Sequence, residues 1–191
     1  VGTIEESREH ASVLMVCTGN ICRSPAAERL ARHHWGSHGD ITVTSAGTGA
    51  LVGEPINLSM RHLMLLDALD TVDFAARHLT SQLVAGSDVI LGMTTRHRKG
   101  AISMDPASLR KTFTLMEFAR IAEAAARDLR TETPADRLRE IVEVAHLHRA
   151  PGEGDEINIR DPFGHGTEVY EMSYGAIKQS VLTVSRVIGT S

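Results

Sequence analysis

Aromatic residues make up only 4% of the 191 positions, and the net charge is −4. There is thus neither a base-stacking surface nor a basic field to hold nucleic acid, and no nucleic-acid partner is expected. Two cysteines, Cys17 and Cys22, are too few for a disulfide framework, which points to a reducing compartment and the cytoplasm. No apolar stretch approaches the length of a membrane span, and the first residues lack a signal-peptide core, so no membrane partner is expected. Metal ligation fails on spacing. His33 and His34 are adjacent and His146 and His148 are two apart, so neither pair shares a helix face, and all four read as surface histidines. No metal and no cofactor are called for. The hydrophobic fraction, 42%, is ordinary for a globular chain of one domain, expected over 12–191 behind a loose polar arm at 1–11. Position 1 is valine, which leaves open residues ahead of it; oligomeric state is not legible.

What is present is concentrated near the start. Val13–Val16 is a continuous apolar run, short enough for a buried parallel strand. Cys17-Thr18-Gly19-Asn20-Ile21-Cys22-Arg23 follows, and Ser24-Pro25 then reads as a helix start, with serine at the N-cap and proline at the first helical position. In such a turn the backbone N–H groups can curl inward and join the positive end of the helix dipole, forming an anion cradle. Those donors and the Arg23 guanidinium favour the thiolate of a cysteine at the cradle's mouth, here Cys17. Arg23 brings a planar fork able to hold two oxygens of one phosphoryl group. Gly19 and Asn20 are residue types that tolerate left-handed backbone. A lone cysteine after a strand is usually inert packing; the strand, the Gly-Asn pair and the helix start together favour chemistry.

Further along, Ile41–Thr44 reads as a second strand ending at Ser45-Ala46-Gly47, Asp88–Gly92 as a third and Thr112–Leu115 as a fourth. Helices are expected over 57–69, with Met60, Leu63, Met64 and Leu66 packed, and after Thr80, Thr94 and Thr133. Residues 117–130 also read as helical, and a long amphipathic helix carrying Tyr170, Tyr174, Ile177, Val181, Val184 and Ile188 stops at Gly189. The charged run Arg96-His97-Arg98-Lys99 reads as a solvated helix face in preference to a substrate-facing patch. Alternating strands and helices predict an α/β fold: a four-stranded, parallel, doubly wound sheet with helices on both faces and the loop after the first strand.

Cys17-Thr18-Gly19-Asn20-Ile21-Cys22-Arg23-Ser24-Pro25 resembles the phosphate-binding loop of the low-molecular-weight protein tyrosine phosphatases, and Ser45-Ala46-Gly47-Thr48 and Asp161-Pro162-Phe163-Gly164 support the likeness. The resemblance implies a phosphotyrosine-bearing protein substrate, a phosphocysteine intermediate on Cys17, and inorganic phosphate as product. It implies that Thr18 to Ser24 bind the phosphate, with Asn20 bracing the loop against Ser45 and Ser24 serving the Cys17 sulfur. Asp161 is the implied acid, preferred over Asp105 because an aromatic and a glycine follow its proline. Ile21, Leu51 and Phe163 are the expected pocket walls. Cys22 is placed to trap oxidised Cys17 as a disulfide.

The chain departs from the family where two tyrosines often stand (Phe163-Gly164), where a tryptophan is common (Leu51), and in a longer 116–153 region. Three other readings stay open. Arsenate reductases share the loop but commonly need further thiols and carry glutamine at the Pro25 position. Protein-arginine phosphatases tend to have threonine at the Ile21 position. A non-catalytic phosphate-binding or redox-sensing module would need neither a nucleophile nor an acid.

Overall fold

The computed structural model describes residues 10–36, 39–149 and 157–190. Four strands, β1 (Ala11–Cys17), β2 (Ile41–Gly47), β3 (Val89–Gly92) and β4 (Thr112–Thr114), form one parallel sheet in the order β2-β1-β3-β4. Because the chain moves from β1 to one neighbour and then to the other, the sheet has its switch point between β1 and β3. Ligands of open parallel sheets collect there, at the strands' carboxyl ends.

The apolar run of β1 alternates between two cores. Val13, Met15 and Cys17 enter the larger one, built with α1 (Arg23–Trp35), α2 (Leu58–Leu66), α5 (Leu115–Ala125), α6 (Pro134–His148) and α7 (Thr167–Ile188). Leu14 and Val16 enter the smaller one, built with α3 (Ser81–Ala85) and α4 (Thr95–Met104). A strand covered on both faces has no polar side, which is why it reads as an unbroken hydrophobic run. The fully buried Trp35 locks α1 to α7, its indole N–H donating to the Val181 carbonyl at 3.1 Å.

Local chemistry sets several boundaries differently from the sequence expectation. The helix after the loop begins at Arg23, with Cys22 in the N-cap position and no side chain capping it. Ser24 is therefore not the cap, and Pro25 lies inside the first turn, where its missing N–H has no intrahelical partner to lose. Ala11 opens β1 fully buried, so the loose arm does not reach it; residues 1–9 lie outside the described ones. Leu115 belongs to α5 because Thr114 caps that helix, accepting from the Glu117 N–H while the Glu117 carboxylate accepts from the Thr114 N–H. That helix ends at Ala125, short of the expected 130. In α2, Leu66 is 71% exposed, and Leu69, just past the helix, is buried in its stead.

Two glycines let the chain approach itself closely. A Cβ on Gly92 would sit 2.9 Å from the Arg98 backbone nitrogen, so α4 can fold back onto the end of β3 only because none is there. A Cβ on Gly47 would lie 2.3 Å from the Thr18 carbonyl oxygen. Gly47 pairs with Cys17 in the sheet register, and this contact seats the loop after β1 on the end of β2.

Candidate active site

The loop leaving β1 is turned inside out by its neighbours. The carbonyls of Cys17, Thr18, Gly19 and Ile21 accept from the N–H groups of Thr48, Gly49, Leu51 and Asn57 at 2.8–3.0 Å. In a planar trans peptide each carbonyl faces away from the next residue's N–H. Fixing these four oxygens outward therefore turns the N–H groups of Thr18, Gly19, Asn20 and Cys22 inward. The Asn20 N–H meets the Cys17 sulfur at 3.3 Å. The left-handed residue of the loop is Asn20, at φ 55°; Gly19 does not take positive φ.

The Asn20 amide organises what lies beneath. Its Oδ1 accepts from the Arg77 N–H at 2.9 Å, and its Nδ2 donates to Ser24 Oγ and Ser45 Oγ, both at 2.9 Å. Ser45 Oγ donates in turn to Glu28 at 2.5 Å, and Glu28 pairs with Arg32 at 2.7 Å. Ser24 Oγ, which accepts from Asn20, also lies 2.9 Å from Cys17 Sγ, where its remaining hydrogen serves as donor once the sulfur is a thiolate. Glu28, 4% exposed, was missed in the sequence, where an acid four residues before Arg32 reads as half of a solvated helix pair.

Arg23 is 3% exposed and directs one nitrogen to the Ile159 carbonyl at 3.1 Å and the other to Asp161 at 2.5 Å. Asp161 is half-exposed and also accepts from the Phe163 N–H at 3.2 Å. A pocket of about 200 Å³ is bordered by Cys17, Thr18, Gly19, Ile21, Cys22 and Arg23 from the loop, with Gly49, Leu51, Asp161 and Phe163 on the rim. The other Asp-Pro pair lies elsewhere: Asp105 caps the short 3-10 turn Pro106–Lys111. Cys22 is buried, and burial and the charge of Cys17 push its thiol up to about 12, against a Tyr170 hydrogen bond. No group of three or more metal-ligating side chains occurs among the described residues.

His97 departs from the reading of its charged run, whose Arg96 and Lys99 are exposed. It is not on a solvated face but 2% exposed, with Nε2 2.9 Å from Thr18 Oγ1 and Nδ1 3.0 Å from Thr94 Oγ1. Burial, and then the Arg23 charge, lower its pKa to about 4, with Asp161 opposing and Arg96 adding.

A thiol at the base of an amide-lined cradle, flanked by a buried arginine, at the carboxyl edge of a parallel sheet has the chemistry that a cysteine-based phosphate site requires. The chain belongs to the low molecular weight phosphotyrosine protein phosphatase family, whose model matches residues 12–144. It is 39% identical over 106 residues to the probable low molecular weight protein-tyrosine-phosphatase EpsP of Ralstonia nicotianae, across 56% of this chain and 71% of that protein. It is 40% identical over 85 residues to the low molecular weight protein-tyrosine-phosphatase Wzb of Salmonella typhi, across 44% of this chain and only 55% of that protein. The solved structure of a low molecular weight protein tyrosine phosphatase from T. tengcongensis superposes with a TM-score of 0.68 at 26% identity, covering 91% of this chain and 96% of that one. Asp161 falls beyond the residues matched by the family model.

The buried His97 makes stability depend on pH. Its folded pKa near 4 lies below its ordinary 6.5, so between those values the unfolded chain binds a proton that the folded one excludes. Its contribution is constant above pH 6.5, falls as pH drops toward 4, and levels off below, a loss of roughly 3 kcal/mol. Urea unfolding from pH 7 to 4 should therefore show wild type losing about that much more stability than His97→Gln. Parallel pH profiles for the two proteins would contradict it.

Proposed function

We propose that the chain hydrolyses phosphotyrosine in protein substrates through a phosphocysteine intermediate and releases inorganic phosphate. The observation that carries this reading is that Cys17, Arg23 and Asp161 border one pocket together with the apolar Ile21, Leu51 and Phe163. The catalytic unit is taken as a single domain over 12–191, and reduced Cys17 and Cys22 suit a cytoplasmic setting. Among the described residues, no helix is long and apolar enough to cross a membrane.

In the first step the Cys17 thiolate attacks phosphorus. The S–P bond forms as the bond to the tyrosine oxygen breaks, and Asp161 in its acid form gives that oxygen its proton. Arg23 and the loop from Thr18 to Ser24, whose Thr18, Gly19, Asn20 and Cys22 N–H groups turn inward, hold the equatorial oxygens. An arriving phosphoryl group competes with Asp161 for Arg23, which frees the carboxyl to face the leaving oxygen. In the second step Asp161 takes a proton from water, water oxygen bonds to phosphorus, and the S–P bond breaks. The sulfur leaves as a thiolate into the hydrogen bonds of Asn20 N–H and Ser24 Oγ.

Ile21 sets the substrate. An apolar wall suits the face of a phenyl ring, whereas a phosphoguanidinium passing it leaves N–H donors unpaired in a dehydrated slot. Serine and threonine phosphates are too short to reach Cys17 at the base of the pocket. Cys22 is the proposed partner of oxidised Cys17; being buried and held neutral, it forms that bond slowly. Mass spectrometry after peroxide should find a Cys17–Cys22 disulfide, and finding only over-oxidised Cys17 would remove the role.

Matched phosphopeptides test the reading. Phosphotyrosine should be hydrolysed faster than phosphoarginine, phosphoserine or phosphothreonine, with Ile21→Thr moving kcat/KM toward phosphoarginine. Asp161→Asn should lower kcat on phosphotyrosine by roughly 10²–10⁴-fold, the scale of a positioned proton donor. Wild type preferring phosphoarginine would overturn the substrate, and full activity in Asp161→Asn would overturn the acid.

A further inference from the structure

The corner between β3 and α4 touches the end of β1, the segment leading to Asp161 and the loop after β1 without lining the pocket. The Met93 N–H donates to the Val16 carbonyl at 2.8 Å, at the end of β1. The Met93 carbonyl accepts from the Ile159 N–H at 2.8 Å, and the Thr95 N–H donates to Asn158 Oδ1 at 2.7 Å. Asn158 and Ile159 lead into Asp161, and Ile159 is also the residue whose carbonyl holds Arg23. From the same corner, the His97 ring reaches Thr18, the residue directly after the nucleophile.

The helix gives something up for this contact. Thr94 occupies the N-cap position of α4, yet its hydroxyl caps no backbone N–H. It bonds the Nδ1 of His97, three residues on. An N-cap threonine ordinarily stabilises its helix by about 1 kcal/mol, so diverting it is a local cost with no local return. What the diversion achieves is orientation: a neutral imidazole has one donor and one acceptor nitrogen, and Thr94 and Thr18 occupy both. The ring is left with no free nitrogen and one geometry.

We propose that His97 is a positioning residue for the phosphate loop: fixed by Thr94, it holds the Thr18 side chain so that the first loop N–H groups stay aimed at the phosphoryl oxygens, in register with Arg23 and Asp161. This rests on the phosphatase reading for its catalytic consequence, but not for its effect on phosphate binding. A buried histidine that only fills space predicts something different. Phenylalanine would then replace it well, and glutamine, smaller and flexible, would not.

The experiment compares wild type, His97→Phe and His97→Gln. The readouts are kcat and KM for an aryl phosphate, the affinity for inorganic phosphate by calorimetry, and Tm. Phenylalanine keeps the ring and loses both bonds; glutamine keeps one donor and one acceptor. His97→Phe should lower kcat by about 10- to 100-fold and weaken inorganic phosphate binding, since small misplacements of a catalytic cradle have effects of that size. His97→Gln should recover most of both. Thr18→Val removes the same bond from the loop side and leaves the His97 packing in place, so it decides the matter if His97→Phe does not fold. It should reproduce the loss, and the two changes together should cost little more than either alone. His97→Phe or Thr18→Val holding both kcat and phosphate affinity within about twofold of wild type overturns the proposal. Absence of aryl phosphate turnover in wild type would instead count against the phosphatase reading, while the phosphate affinities would still decide the role of His97.

Discussion

One primary amide carries the site. Asn20 sits in left-handed backbone and uses both of its Nδ2 hydrogens and its carbonyl oxygen on three partners from three segments: Ser24 at the start of α1, Ser45 in β2 and Arg77 before α3. Because Asn20 donates to Ser45 and Glu28 accepts from it, the buried carboxylate fixes the direction of the Ser45 hydroxyl. The same Asn20 amide holds Ser24 Oγ 2.9 Å from the Cys17 sulfur, within reach to donate to a thiolate there. A buried polar network of this kind is favourable only when every member is satisfied, so each member constrains the others.

Around that network the loop is shaped from outside. Four of its carbonyls are held by the N–H groups of the segment after β2 and the start of α2, and the close approach at Gly47 keeps that segment within reach. The inward N–H groups follow from planar peptides rather than from any special residue in the loop. Asp161 arrives by a longer route, through Ile159 and Asn158 against the corner after β3. The Cys17 loop and the Asp161 loop thus share Arg23 directly and the β3–α4 corner indirectly.

Much of this was legible in the residues, unevenly and for physical reasons. The doubly wound sheet followed from strands alternating with helices, and the phosphate loop from the dense local pattern between Cys17 and Pro25. The pairing of Asn20 with Ser45 came through the family resemblance. Glu28 and His97 were not legible, because charge and polarity in a helix normally signal solvent, and only the tertiary fold shows that these two point inward to a partner. Ser24 was misread as a cap for a related reason. Its hydroxyl is what a cap requires, but the helix already begins at Arg23 and the hydroxyl faces the sulfur of Cys17 at the end of β1 instead. Boundaries such as Thr114–Leu115 shifted where a capping box outweighed β-propensity.

The central claim is that a phosphoryl group rides on the Cys17 sulfur and that Asp161 serves the water that removes it. Rapid acid quench of Asp161→Asn with an aryl phosphate whose leaving group needs no proton, followed by peptide mass spectrometry, tests both halves together. The account predicts a phosphoryl group accumulating on the peptide that carries Cys17, and none on that peptide in Cys17→Ala. Continued turnover with no phosphoryl group ever found on Cys17 would contradict it.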